Sequence, residues 1–157
     1  MKIRARIAWL AATFLLIFTA TVCAAGSTDD HDALKNLKAA KVIFDVRVPD
    51  AEKLIFNLAL IQETFDGLRK QGVQPTMVVA FRGPGLKLLV DPEMDSDARD
   101  LFKALKAKGV RFEACAVAMR VFKVDPAGLI PEVKLVANVF NSYIGYQNKG
   151  YALIAIN

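Results

Sequence analysis

One cysteine combines the residue type and the position that nucleophilic chemistry requires. Cys115 ends a predicted strand, Val110–Cys115, in which apolar and charged residues alternate. A run that lacks proline and is rich in helix-forming residues follows it directly. A cysteine at the start of a helix lies near unpaired backbone N–H groups and the positive end of the helix dipole, and both favour the thiolate. Cys115 is therefore the predicted catalytic residue.

The other cysteine, Cys23, lies in a segment that is typical of a secretory signal peptide. Residues 1–25 consist of a basic start, a long apolar run and small residues suited to cleavage. We therefore predict a signal peptide at residues 1–25 and a periplasmic mature protein. An uncleaved membrane anchor is the alternative, because the apolar run approaches the length that spans a bilayer. Contact with a membrane is predicted only in that case.

Removal of this segment would leave Cys115 without a partner in the mature chain. Oxidising compartments favour paired cysteines, so an unpaired one needs an explanation. It is a buried, inert residue, a reactive thiol, or a thiol that forms a disulfide between chains. Residue types alone leave the inert and the reactive interpretations equally open.

The charge balance gives no indication of nucleic-acid binding. The chain has 21 basic and 16 acidic residues, a net charge of +5. Three of the basic residues and none of the acidic ones lie in residues 1–25, which leaves 18 basic and 16 acidic residues, a net charge of +2. That balance is typical of an ordinary solvated surface. The sequence also lacks a CxxC pair and a histidine–cysteine cluster suited to metal binding, so we predict neither a metal nor a cofactor.

Strands and helices alternate along residues 41–157, after a polar lead-in at residues 26–40. A helix, a glycine and an apolar strand follow one another three times, with Gly72, Gly109 and Gly150 at the turns. Such short connections from helix to strand favour a mostly parallel sheet with helices on both faces. We predict a single α/β domain with a sheet of about five strands. The predicted strands are Lys41–Val48, Pro75–Phe81, Val110–Cys115, Val133–Ala137 and Tyr151–Ile156.

Two predicted features share one edge of this sheet. In parallel sheets, ligands bind beyond the carboxyl ends of the strands, which here carry Cys115 and the turn Arg82–Gly85. A helix dipole alone lowers the pKa of a thiol by only about 1, so a more acidic Cys115 needs a cation. Arg82 and Arg120 are the candidates, while burial of the thiol would raise its pKa. The turn lacks the Lys-Ser/Thr pair of a phosphate-binding loop, which favours a plain turn.

Several segments together resemble the DsrE/DsrF-like family of small sulfur-relay proteins, in its secreted branch. The similarity covers residues 41–157 and depends on the order and spacing of the segments. They are Asn57 in the first long helix, VVAFRGPGLKLL at Val78–Leu89, GVRFEAC at Gly109–Cys115, DPAGLIPEV at Asp125–Val133 and the ending Gln147–Ala152. Two positions depart from the family pattern. Ala116-Val117 follows the cysteine in place of an Asn-Thr-like pair, and Arg82 precedes the turn glycine in place of a histidine.

The resemblance implies a flavodoxin-like three-layer α/β fold and assembly as homotrimers or homohexamers. It also implies that Cys115 accepts sulfane sulfur as a persulfide and passes it on, as a sulfurtransferase-like carrier with unidentified donor and acceptor proteins. We expect Arg82, Gly83 and Arg120 to support Cys115, with Arg82 stabilising the thiolate. The alternative is a non-catalytic homo-oligomeric binding module in which Cys115 is structural.

Overall fold

The computed structural model describes residues 30–91 and 94–157. The predicted signal peptide, residues 1–25, and the start of the lead-in, residues 26–29, lie outside the described residues. Within the described ranges the chain forms one sheet of five strands together with five α-helices. None of these helices is long and apolar enough to cross a bilayer.

The sheet is wholly parallel, where the sequence predicted a mostly parallel one. Its strands are β1 (Ala39–Val46), β2 (Gln74–Phe81), β3 (Arg111–Cys115), β4 (Val133–Val136) and β5 (Ala152–Ile156). The strand order is β4-β3-β2-β1-β5. Each strand agrees closely with its prediction, but β1 begins at Ala39, inside the predicted lead-in, rather than at Lys41.

The helices connect these strands. They are α1 (His31–Leu34), α2 (Ala51–Lys70), α3 (Ser96–Ala107), α4 (Ala116–Phe122) and α5 (Val139–Gln147). Two 3-10 helices, Pro84–Leu89 and Pro126–Gly128, occupy the two predicted turns. The short helix α1 shows that the lead-in is not entirely without secondary structure.

Capping residues and glycines set the helix ends that the sequence predicted. Asp50, Asp95 and Asn138 each accept a hydrogen bond through the side chain from a backbone N–H of the first turn, at 2.8, 2.8 and 3.0 Å. The glycines that follow α2, α3 and α5 all have positive φ: Gly72, Gly109 and Gly150. Glycine adopts this left-handed conformation at least cost. The repeated helix–glycine–strand pattern is therefore confirmed.

Helices cover both faces of the sheet. The connections from β1 to β4 all step in one direction, so right-handed crossovers place α2, α3 and α4 on the same face. The connection from β4 to β5 runs back to the opposite edge of the sheet and places α5 on the other face. The predicted three-layer α/β sandwich is confirmed.

Each face has its own apolar core. The larger core lies beneath α2 and α3 and contains the rings of Phe81, Phe102 and Phe112, whose centroids are 4.6 to 6.5 Å apart. The smaller core lies beneath α5. Its buried members are Ile43, Val78, Ala80, Cys115, Val139 and Tyr143. The candidate cysteine thus belongs to the smaller core.

Candidate functional site

Cys115 occupies the junction between a strand and a helix. It is the last residue of β3 and the N-cap residue of α4, as the sequence predicted. The thiol forms no disulfide with another described residue. However, Cys115 is only 4% exposed. The cysteine therefore has the expected position in the fold, but its sulfur lies beneath other side chains.

Arg82 lies just beyond the end of β2, the strand that neighbours the one ending in Cys115. In the β2–β3 register Phe81 pairs with Ala114, so the next pair is Arg82 and Cys115. Adjacent strands are about 5 Å apart. Side chains alternate along a strand, and Ala80 and Cys115 both belong to the core beneath α5, so Arg82 projects to that same face. The structure thus brings two of the predicted site residues together at the carboxyl edge of the sheet.

The Arg82 guanidinium is held by a buried carboxylate. Its Nε and Nη2 donate to Asp45 Oδ1 and Oδ2, each at 2.8 Å, and the Tyr143 hydroxyl donates to Asp45 Oδ1 at 2.9 Å. Asp45 is 4% exposed, whereas the Arg82 side chain is 26% exposed. The hydrogen bonds that Arg82 donates to Asp45 raise the pKa of Arg82. A bidentate pair of this kind fixes both the position and the charge of the guanidinium.

A second guanidinium, that of Arg47, adds positive charge at this edge of the sheet. Arg47 Nε lies 3.8 Å from Asp45 Oδ2, and this buried Nε has no hydrogen-bond partner among the described residues. The β1–β2 register, extended by one residue, pairs Arg47 with Arg82. Arg47, Arg82 and Cys115 therefore cross three strands at one level, and we call them the cysteine row. Two guanidiniums and one carboxylate give this edge of the sheet a formal charge of +1.

A second row crosses the same face, two residues closer to the amino ends of the strands. Asp45, Ala80, Glu113 and Lys134 are paired in register across β1 to β4, and we call them the carboxylate row. Asp45 and Glu113 are the buried charged residues of the described chain, at 4% and 6% exposure. Between them lies the small side chain of Ala80, so both carboxylates lie beneath α5.

Glu113 is bound by a second tyrosine of α5. The Tyr146 hydroxyl donates to Glu113 Oε1 at 2.7 Å. Burial, together with this hydrogen bond, raises the pKa of Tyr146 to about 12. The other oxygen, Glu113 Oε2, is buried and has no partner among the described residues. On the outer side, the Arg111 guanidinium lies 5.0 Å from the Tyr146 ring and donates to the Tyr151 hydroxyl at 2.7 Å.

Helical spacing explains why α5 supplies both tyrosines. Tyr143 and Tyr146 are three residues apart and so project from one side of the helix. Burial, and next the charge of Asp45, raise the pKa of Tyr143. Asp45, Arg47 and Glu113 were not predicted as site residues. The available signal was a carboxylate flanked by apolar residues in each of two predicted buried strands.

The turn after Arg82 depends on two glycines. Gly83 has φ +83° and ψ −161°, a region that residues with a side chain rarely adopt. A Cβ on Gly85 would lie 2.1 Å from the carbonyl oxygen of Val48. The 3-10 helix Pro84–Leu89 therefore lies directly against the chain that leaves β1. The two glycines thus allow the backbone to turn directly after Arg82 and to pack closely against the chain that leaves β1.

Arg120, the other predicted supporting cation, lies elsewhere. It is exposed and occupies the last turn of α4, at the opposite end of that helix from Cys115. The separation along the helix axis is about 7 Å. Arg120 is therefore not a member of the cysteine row.

Two further features lie away from this edge. A groove of about 970 Å³ between α1 and the last turns of α2 is lined by Leu34, Leu60 and Gln71 among others, and by none of the predicted site residues. In residues 30–91 and 94–157, no group of three or more histidine, cysteine, aspartate and glutamate side chains is arranged to hold a metal ion.

Comparisons with known proteins agree with this architecture. The model of the DsrE/DsrF-like family matches residues 40–156. The chain is similar to MTH1491, a protein of unknown function from Methanobacterium thermoautotrophicum, with 21% identity and a TM-score of 0.63 over 74% of this chain and 99% of that chain. It is also similar to the YchN protein from E. coli, with 13% identity and a TM-score of 0.53 over 75% of this chain and 99% of that chain. These two likenesses show the fold alone. No curated protein matches the chain.

Proposed function

Because the chain belongs to the DsrE/DsrF-like family, which is associated with sulfur relay, we propose that it carries sulfane sulfur as a persulfide on Cys115. The observation that carries this proposal is the cysteine row, in which Cys115 lies beside Arg82 at the carboxyl edge of a parallel sheet. That edge is where ligands bind in folds of this kind. The donor and the acceptor are other proteins, and the transfer needs no cofactor.

The charges around Cys115 support a nucleophilic role. Arg82 is held in place by Asp45 at 2.8 Å, so the pair by itself is neutral. Arg47 supplies the additional positive charge, and the first turn of α4 offers unpaired backbone N–H groups. Together these groups place positive charge and hydrogen-bond donors along the edge that carries Cys115.

The transfer is balanced without an external oxidant or reductant. The Cys115 thiolate attacks the outer sulfur of a donor persulfide, a new S–S bond forms on Cys115, and the S–S bond of the donor breaks. The donor leaves as a thiolate and takes up the proton that Cys115 lost. A thiolate of the acceptor protein removes the outer sulfur from Cys115 by the same reaction in reverse.

Intact-mass spectrometry after incubation with inorganic polysulfide tests the proposal. We expect one or more added sulfur atoms, removable by a reducing agent and located on Cys115 rather than Cys23 by peptide mapping. The variant Cys115→Ser should take up none. If the protein gains no sulfur under conditions that load a known carrier, the proposed function is wrong.

Two arginines of the chain form a matched pair for the role of the cation. Arg82→Gln removes the charge beside Cys115, whereas Arg120→Gln removes a charge from the far end of α4. We expect sulfur loading at neutral pH to become several-fold slower in Arg82→Gln, because the variant lacks the cation that is next to Cys115 in the sheet register. Loading of Arg120→Gln should stay close to wild type.

The burial of Cys115 favours a second candidate function. A thiol that is 4% exposed suits a structural residue, and the protein would then be a non-catalytic homo-oligomeric binding module. Native-state titration with a thiol reagent separates the two functions. A Cys115 that never reacts, in a protein that takes up no sulfur, identifies the module.

We also propose that the protein forms a homo-oligomer. Apolar side chains are exposed on the edge strand β5, namely Leu153 at 41% and Ile154 at 47%. An exposed apolar edge strand favours contact with another copy of the chain, which supports a homotrimer or homohexamer.

We also propose a periplasmic location, on the sequence of residues 1–25 alone. The N-terminal residue of the protein recovered from cells tests that location.

A further inference from the structure

The proposed function requires that a donor protein reach a sulfur that is almost fully covered. Cys115 is 4% exposed, and it is the proposed point of contact with two different proteins. Some element must therefore move away from the thiol before each transfer.

The cover is formed by α5. Val139 and Tyr143 belong to the same small core as Cys115 and are 1% and 5% exposed. The other buried members of that core lie on the sheet strands, and the partly buried Val117 and Ala118 of α4 pack against it. Helix α5 supplies the two buried helix residues of this core and no residue of the larger core, so its displacement would uncover the cysteine without disturbing the larger core.

Two hydrogen bonds attach α5 to the sheet. Tyr143 donates to Asp45 at 2.9 Å and Tyr146 donates to Glu113 at 2.7 Å. The two acceptors are the buried carboxylates of the carboxylate row, so both attachments lie on one level of the sheet. Each links a side chain on the helix to a strand and can be broken without unpairing the sheet.

Apolar burial stabilises the closed position of α5 only weakly, and the buried Glu113 oxygen lowers the stability of that position. Phe140 and Ile144 of α5 are 53% and 61% exposed, so much of the helix's apolar surface lies outside the small core, and the Phe140 ring contacts the sheet edge through the Arg82 guanidinium, 5.2 Å from its centroid. Glu113 Oε2 is buried without a hydrogen-bond partner among the described residues. Opening would let water reach this oxygen and recover its solvation. Segments with few buried contacts open at a lower free energy than the rest of a protein.

We propose that α5 is a gate over Cys115, held closed by the hydroxyls of Tyr143 and Tyr146. The sulfur is closed off while both hydrogen bonds are formed and becomes reachable when α5 separates from the carboxylate row. The purpose of the gate depends on the proposed function, but the opening itself is a property of the fold.

The rate at which iodoacetamide alkylates Cys115 in the native protein tests the gate. We expect Tyr143→Phe and Tyr146→Phe each to raise this rate about 5- to 10-fold, the effect of one lost hydrogen bond on the opening equilibrium. Tyr151→Phe is the matched control, because its hydroxyl accepts from Arg111 and does not bind a carboxylate beneath α5. Its alkylation rate should equal that of the wild type.

A second control separates opening of α5 from unfolding of the whole domain. Leu105 is fully buried in the larger core, on the other face of the sheet, so Leu105→Ala lowers global stability without touching α5. We expect its alkylation rate to stay near wild type, and hydrogen exchange in the tyrosine variants to increase at the amides of Val139–Gln147. Three results would each overturn the gate. They are unchanged alkylation in both tyrosine variants, hydrogen exchange that increases in α4 in place of α5, and faster alkylation in Leu105→Ala. Alkylation needs no sulfur donor, so this result is independent of whether Cys115 carries a persulfide.

Discussion

The guanidinium of Arg82 and the carboxylate of Asp45 meet through two hydrogen bonds, each 2.8 Å long. Asp45 is buried on β1 under α5, while Arg82 reaches it from just beyond the carboxyl end of the neighbouring strand β2. The pair therefore connects the interior of the smaller core to the edge that carries Cys115. Its removal should affect both stability and the site.

Replacement of Asp45 by Ala should destabilise the protein by about 2–3 kcal/mol. The substitution removes a carboxylate that accepts three hydrogen bonds and leaves the partly buried Arg82 guanidinium without its partner. Urea denaturation followed by circular dichroism measures the change in the free energy of unfolding.

An exposed ion pair provides the control for this prediction. Asp66 accepts a hydrogen bond from Lys108 at 2.6 Å, with side chains 53% and 31% exposed. Because solvent screens such pairs, Asp66→Ala should cost less than about 1 kcal/mol. Equal losses in the two variants would contradict the importance assigned to the buried carboxylate.

Two glycines should respond to alanine in opposite directions. Gly85→Ala would place a Cβ 2.1 Å from the Val48 carbonyl oxygen, so the backbone must move and the loss should be at least about 2 kcal/mol. Gly67 lies inside α2 with open space around its Cα, so Gly67→Ala should stabilise the protein by about 0.5–1 kcal/mol. Denaturant midpoints of the two variants test both signs, and a tolerated Gly85→Ala would contradict the close contact.

Alkaline titration should reveal the tyrosine–carboxylate contacts. Burial raises the pKa of Tyr146 from 10.0 to about 12 in the folded state, and that of Tyr143 is also raised. The raised value means that Tyr146 stabilises the fold fully below pH 10 and loses this contribution as the pH rises from 10 to about 12. Phenolate absorbance should therefore show a component near pH 12 in the folded protein that is absent from Tyr146→Phe. A wild-type titration in which every tyrosine ionises at pH 10 would contradict the buried hydroxyl.

A charge on the edge strand should change the assembly state. Leu153 and Ile154 point to opposite faces of β5 and are 41% and 47% exposed. Leu153→Glu or Ile154→Glu places a charge in the proposed contact between copies, so light scattering should show a lower molar mass than for the wild type. Lys103→Glu, on the exposed surface of α3, is the control. A monomeric wild type, or variants of unchanged mass, would contradict the proposed oligomer.

Local signals in the sequence were sufficient for most of the fold. Asp50 caps α2 and Gly72 follows it because both roles depend on neighbouring residues in the chain. The order of helix, glycine and strand then restricts the sheet to parallel pairing. The placement of Cys115 between β3 and α4 follows from the same short-range pattern.

The sequence alone could not predict which residues meet at the site, because they lie far apart along the chain. Asp45 and Tyr143 are 98 residues apart, and neither has a neighbour in the sequence that reveals the other. The burial of Cys115 depends on α5 crossing the sheet from β4 to β5, which is a property of the strand order. Arg120 was a reasonable candidate by its distance in sequence, but one and a half helical turns place it at the other end of α4.

The pairing of β1 with β5 has a kinetic consequence. Val42 lies beside Ala152, about 110 residues later in the chain, so the segment between them must already be arranged before this contact can form. Pairings so distant along the chain slow folding, because the entropy of closing the loop is lost before the contact repays it. We expect the pairing of β5 with β1 and the packing of α5 over Cys115 to form together, as the slowest step of folding.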